Sequence, residues 1–189
     1  MLRMGWVVAM ALATAALLGE GEADYRSAQR KIGLIRSERV AAGSWVSLKP
    51  QELTAYARQE VQTVAPEGVR DPRVELGHGW ASGSAYIDFP KLRRALGQPL
   101  GWLFERLLAG ERPVRVRARI RSGGGQATVE LERVEIGGLA VEGAALEVLI
   151  RSFVLPYYPE VKIGQPFELA HRIERLEVRP GMVRVLIGR

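Results

Sequence analysis

Apolar and polar positions along this chain change rhythm several times, and each rhythm predicts a different element. From Pro50 to Pro66, Leu53, Tyr56, Ala57, Val61 and Val64 recur at helical spacing. Proline suits the first position of a helix, Glu52 and Glu60 are placed on the polar side, and Pro66 ends the run. Beyond Gly68 the period becomes two. Val74 and Leu76 lead into a Gly77-His78-Gly79 turn, and Trp80 to Phe89 places Ala81, Gly83, Ala85, Ile87 and Phe89 on one face of a strand. Side chains this small let a helix or a ligand approach the sheet closely. A short helix is predicted from Pro90 to Leu96.

The strongest alternation follows. Val114, Val116, Ala118 and Ile120 interleave with Arg115, Arg117, Arg119 and Arg121, which is a strand. A two-residue turn at Gly123-Gly124 pairs Val116 with Leu131, Ala118 with Val129 and Ile120 with Ala127. It also sets Arg115 against Glu132 and Arg117 against Glu130. This register fails where Val114 would meet Arg133, so a bulge or the end of pairing is predicted near Arg133 before Val134 and Ile136 resume on the inner face. Arg119 and Arg121 face only Thr128 and Gln126, which makes them the candidates for an anionic head group.

Two further segments are apolar on most of their circumference if helical. One runs from Pro99 through Leu100, Trp102, Leu103, Phe104, Leu107 and Leu108. The other runs from Ala144 to about Leu155, carries only Glu147 and Arg151 as charges, and exits through Phe153, Pro156, Tyr157, Tyr158 and Pro159. Such helices need cover on several sides, from core, ligand, membrane or partner. The tail predicts a hairpin from Ile173 to Ile187 around Pro180-Gly181, with Leu176 facing Val185, Glu177 facing Arg184 and Val178 facing Val183.

The first residues change the picture of where the protein works. A short basic start at Arg3, a low-polarity run from Met4 to Leu18 and small residues around Ala23 read as residues 1–23 of a signal peptide, with an N-terminal membrane anchor as the rival. Residues 24–46 are then a linker or an N-terminal helix, and residues 47–189 a single domain in an exported protein of the periplasm or cell envelope. The chain has no cysteine, so its core forms without disulfides, and thiol catalysis and lipobox anchoring are excluded. The formal charge of +6 rises by one when residues 1–23 leave with Arg3, Glu20 and Glu22. In the envelope such a balance favours an anionic membrane surface over nucleic acid.

Catalytic patterns are absent from the sequence. His78 and His171, the two histidines, have no second ligand at metal-binding spacing. Gly79-Trp80-Ala81-Ser82-Gly83 lacks a nucleophile elbow, and no phosphate or dinucleotide loop occurs. No cofactor and no enzyme activity are expected, although sequence spacing leaves a carboxylate pair for cell-wall hydrolysis open.

The order of parts resembles a known pattern. Ser47-Leu48-Lys49-Pro50-Gln51-Glu52-Leu53 opening a helix, a strand containing Gly83 to Phe89, Val129 to Ile136 running into a glycine break, Leu155-Pro156, and Ile163-Gly164-Gln165-Pro166-Phe167 before a terminal hairpin are similar to LmeA-like and YpmS-like envelope proteins. Those are distantly related to the tubular lipid-binding (TULIP) superfamily. The chain departs from their pattern at Thr54, where asparagine is common, and at Lys49 in place of a threonine or serine N-cap. The resemblance implies an α+β fold in which a strongly curved antiparallel sheet, a TULIP-like half-barrel, wraps one or more helices. It also implies non-enzymatic carriage of a lipid or other apolar molecule. Trp80, Phe89, Leu103, Leu107, Phe153 and Tyr157 are the candidate groove residues. An envelope scaffold that docks on a partner protein through an apolar helix is the alternative.

Overall fold

The computed structural model describes residues 5–64, 68–95, 109–154 and 163–189. Its fold is α+β, with antiparallel sheets and a few helices. A long helix α1 (Gly5–Arg36) leads to a short strand β1 (Trp45–Leu48) and helix α2 (Pro50–Val64). Strands β2 (Val69–Gly77) and β3 (Trp80–Asp88) follow, then the short helix α3 (Phe89–Ala95). The long hairpin β4 (Glu111–Gly123) and β5 (Gln126–Ile136) comes next, with a two-residue strand β6 (Leu139–Ala140). Helix α4 (Gly143–Leu149) continues into a π-helical turn at Ile150–Val154, and β7 (Pro166–Glu168), β8 (Ile173–Arg179) and β9 (Met182–Ile187) close the chain. The predicted apolar helix 100–108 lies outside the described residues.

The strands form two sheets. A three-stranded sheet has the order β1-β9-β8, and a six-stranded sheet runs β2-β3-β4-β5-β6, with β7 also pairing with β5. A cluster of buried residues sits on the smaller sheet, where Ile35 of α1 packs with Val185 and Ile187 of β9, flanked by Val46, Ile173 and Leu176; Ala127 and Val134 of β5 and Phe89 and Leu92 of α3 are buried outside it. The terminal strand is therefore central in its sheet. The predicted pairs Leu176 with Val185, Glu177 with Arg184 and Val178 with Val183 are the pairs formed. The outer edge of β8 is met by hairpin tips: Gly79 N–H donates to Val178 O at 2.9 Å, Gly125 N–H to Glu174 O at 2.9 Å, and Leu176 N–H to Ser122 Oγ at 2.7 Å. Paired in this way, the edge offers no ladder to another chain.

Within residues 24–46, α1 runs to Arg36, a loop follows and β1 begins at Trp45, and α1 docks on α2. Tyr25 stacks on Tyr56 with ring centroids 6.3 Å apart, and Ala28 is fully buried. Glu52 corrects the expectation of a polar side on α2, because it is only 3 % exposed. It sits at the third helical position, and its carboxylate accepts from Lys49 N–H at 2.7 Å, from Ser27 Oγ at 2.5 Å and from Lys31 Nζ at 2.7 Å. The first bond is half of a capping box; the lysine at the N-cap has no oxygen to return the other half. Thr54, on the same helix, accepts from Val74 N–H at 2.9 Å and so satisfies a donor on the edge strand β2.

Strand β2 begins before the predicted start at Val74. It passes Pro72 through a bulge between Arg70 and Arg73, with Asp71 in the left-handed region at φ 51. A proline is accommodated there because an edge-strand bulge demands no ladder donor from it.

The central hairpin corrects the predicted register by two residues. Its turn is Gly124-Gly125, both at positive φ (61 and 75), which places Ile120 opposite Val129 and Ala118 opposite Leu131. A shift of two keeps every side chain on its predicted face, because the pleat repeats every second residue. The expected bulge occurs: pairing slips between Arg117 and Ala118 so that Glu132 is passed over, and Val116 then meets Val134 and Val114 meets Ile136.

Candidate functional site

Strand register sorts the six-stranded sheet into two faces of different chemistry. Val114, Val116, Ala118 and Ile120 of β4 share a face with Ala81, Gly83, Ala85 and Ile87 of β3 and with Val129, Leu131, Val134 and Ile136 of β5. Apart from Val134, the valines, leucine and isoleucines of β4 and β5 in this set are only half-buried. Helix α4 has no buried residue, Val148 on it is 46 % exposed, and Leu139 of the edge strand β6 is 74 % exposed.

The opposite face is polar, with side chains arranged in rows across the strands. Arg73, Ser84, Arg115 and Glu135 form one row; Glu75, Ser82, Arg117 and Arg133 form the next; Gly77, Trp80, Arg119 and Glu130 form the third. Ion pairs cross the rows. Arg117 and Arg119 share Glu132, Arg121 binds Glu130, Arg133 binds Glu135 at 2.6 Å, and Arg70 binds Asp71 and Glu111. The hydrogen bond from Arg119 and the charges of Arg119 and Arg117 hold Glu132 below the ordinary carboxylate range, and a bond from Arg70 does the same for Glu111. Among the described residues, Arg73 and Arg115 have no such partner.

Two hollows mark this face. The larger, about 620 Å³, is bounded by Arg70, Arg73, Ser84, Tyr86, Arg115 and Glu135. The smaller, about 270 Å³, lies between Glu75, Trp80, Ser82, Arg117 and Arg133 and shares Arg115 and Glu135 with the larger. Aromatic side chains anchor the guanidinium groups: Arg117 lies 4.0 Å above the Trp80 ring and Arg70 lies 4.7 Å above the Tyr86 ring.

Of the predicted groove residues, the side chains of Trp80 and Phe89 are among those described. Trp80 pairs with Arg119 and therefore lies on the polar face, away from Ala81 and Ile87, with its indole folded against Gly77 so closely that a Cβ there would come within 2.0 Å of the ring. Phe89 is buried at 4 % exposure, next to the equally buried Leu92 of α3, and acts as core packing. Leu103, Leu107 and Tyr157 lie outside the described residues, as does the side chain of Phe153, whose backbone belongs to the π-helical turn. The register places Arg119 opposite Glu130 and Arg121 opposite Thr128, in place of the expected Thr128 and Gln126, and both arginines are ion-paired. Sequence reasoning missed Arg73 and Arg115, whose only signal was arginine in strands; which arginines lacked partners depended on the bulge.

Among the described residues no cluster of metal-ligating side chains occurs, and no helix is long and apolar enough to cross a membrane. No protein-family model matches this chain, and no curated protein matches it significantly.

Proposed function

We propose that this protein binds a lipid or similarly apolar molecule in the cell envelope, without catalysing a reaction on it, and that the ligand lies along the apolar face of the six-stranded sheet. One observation carries the reading: Val114, Val116, Ile120, Val129, Leu131 and Ile136 in the aliphatic rows of β4 and β5 are only half-buried, while the cluster of buried residues around Ile35, Val185 and Ile187 lies on the other sheet. Strand β4 has 13 residues, which at about 3.3 Å each is enough to accompany an extended acyl chain. Each methylene withdrawn from water would contribute about 0.8 kcal/mol. The bulges in β2 and at Arg117/Ala118 bend and twist their strands, which favours the curved, TULIP-like half-barrel that the sequence resembles. Export through residues 1–23 belongs to the same reading.

The test is uptake of a fluorescent fatty acid by the purified chain, together with native mass spectrometry of protein taken from membranes. Val116→Lys, which sets a charge among the aliphatic rows, should weaken uptake at least tenfold. Absence of both uptake and co-purified lipid would remove the proposal. The exposed Leu139 and Val148 favour a second reading, docking of a partner protein beside α4. In that case crosslinking at Val148 would capture protein, and uptake would be absent.

A further inference from the structure

We propose that the larger hollow on the polar face is a phosphate-binding site, held by Arg73 and Arg115 across Ser84 and suited to the phosphoryl group of a lipid head group or of a soluble phosphoester. Ser84 is in register with Arg73 on one side and with Arg115 on the other, so all three side chains leave the same face of neighbouring strands. Adjacent strands lie about 4.8 Å apart, which puts the two arginine backbones roughly 10 Å apart, near enough for both long side chains to converge above the serine. The Ser84 hydroxyl stands between them as a third donor.

Charge accounting across the hollow singles out the same two residues. Arg70 is matched by Asp71 and Glu111, and Glu135 is matched by Arg133. Among the described residues, Arg73 and Arg115 are the charged groups bounding the hollow that make no ion pair, and the charged side chains lining it, Arg70, Asp71, Arg73, Arg115 and Glu135, carry a net charge of +1. Glu75, the remaining acid nearby, borders the smaller hollow together with Arg115 and makes no ion pair with it. Two guanidinium groups held together repel each other, and an anion between them relieves that repulsion. Their planar forks match the oxygens of phosphate, each able to give two parallel hydrogen bonds. The hollow's volume of about 620 Å³ falls within the range of small-molecule sites. Tyr86, 43 % exposed at the rim, offers an aromatic edge and a hydroxyl to whatever the phosphate carries.

This site lies on the face opposite the apolar one, so it does not depend on lipid carriage, and phosphate without an acyl chain tests it separately. Calorimetric titration of the full chain with inorganic phosphate and with glycerol 3-phosphate at low ionic strength is the direct measurement. Flotation with phosphatidylcholine vesicles, with and without phosphatidic acid, is its companion. Arg73→Gln and Arg115→Gln should each lower affinity roughly tenfold, the loss expected for a hydrogen bond to a charged group, and together they should abolish binding. Arg121→Gln, which removes an ion-paired arginine from the same face, should bind like the parent. Binding of the soluble probes without flotation assigns a soluble phosphoester. Flotation that requires phosphatidic acid and is lost in the double variant assigns a lipid head group. Should the double variant fail to fold by circular dichroism, Ser84→Glu, which places a carboxylate between the arginines, serves in its place and should likewise abolish binding. The proposal is overturned if the parent chain binds none of the probes, or if Arg121→Gln loses as much as the double variant.

Discussion

At the scale of single residues, Glu52 ties the N-terminal helix to the domain. Burial by itself pushes its carboxyl up, but the bonds from Lys31, Ser27 and Lys49, with the Lys31 charge, outweigh that and hold it below its ordinary value of 4.5. A carboxyl depressed on folding contributes stability that is fully present above the unfolded value and is lost as pH falls through the folded one. The parent chain should therefore lose this contribution below pH 4.5. Glu52→Gln should be less stable at neutral pH by about 1–3 kcal/mol, because Lys31 and the Lys49 N–H lose a charged acceptor. Urea unfolding at several pH values checks both points: the difference between the two proteins should shrink in acid, and a constant difference would mean that the charge is not responsible. Glutamate at the third position after Lys49-Pro50 was readable as a helix start. Its burial was not, because Ser27 and Lys31 are more than twenty positions away in sequence and only docking brings them near.

At the scale of elements, the β4–β5 hairpin shows how far local pattern reaches. Alternation in the sequence assigned the side chains of the hairpin to their faces and left a bulge or the end of pairing near Arg133, and the bulge is what forms. Three consecutive glycines left the turn ambiguous, and choosing Gly123-Gly124 displaced the pairing by two residues. The observed turn uses Gly124 and Gly125 at φ 61 and 75, a conformation that costs a side chain about 1–2 kcal/mol. Gly125→Ala should accordingly destabilise the protein by about that amount. Gly123→Ala should be nearly neutral, because its backbone is ordinary and the nearest atom to an added Cβ is 4.0 Å away. Thermal denaturation of the two variants distinguishes the registers, since the displaced turn would make Gly123 the sensitive position. The misplacement of Trp80 came from parity. Ala81, Gly83, Ala85 and Ile87 share one face, so a residue at position 80 of the same strand belongs to the other.

At the scale of the whole molecule, the chain is closed by its own last strand. Strand β9 runs between β1 and β8, and Val185 and Ile187 are 4 % and 2 % exposed. A chain ending at Arg179 would leave β1 and β8 unpaired and uncover Ile35. It should lose near-ultraviolet circular dichroism and bind hydrophobic dyes, while a retained native spectrum would mean that the six-stranded sheet stands without it. The sequence by itself determined helix α2, strands β3, β4 and β5 with the faces of the β4–β5 hairpin, and the pairing of the final hairpin, because these follow from the pleat, the helical turn and turn chemistry over a few residues. Only the tertiary structure decided where the core lies, that Glu52 is buried, and which arginines keep a free charge. Those depend on which elements meet and where a bulge falls, and an ion pair between strands is set by their relative placement, which no single strand encodes.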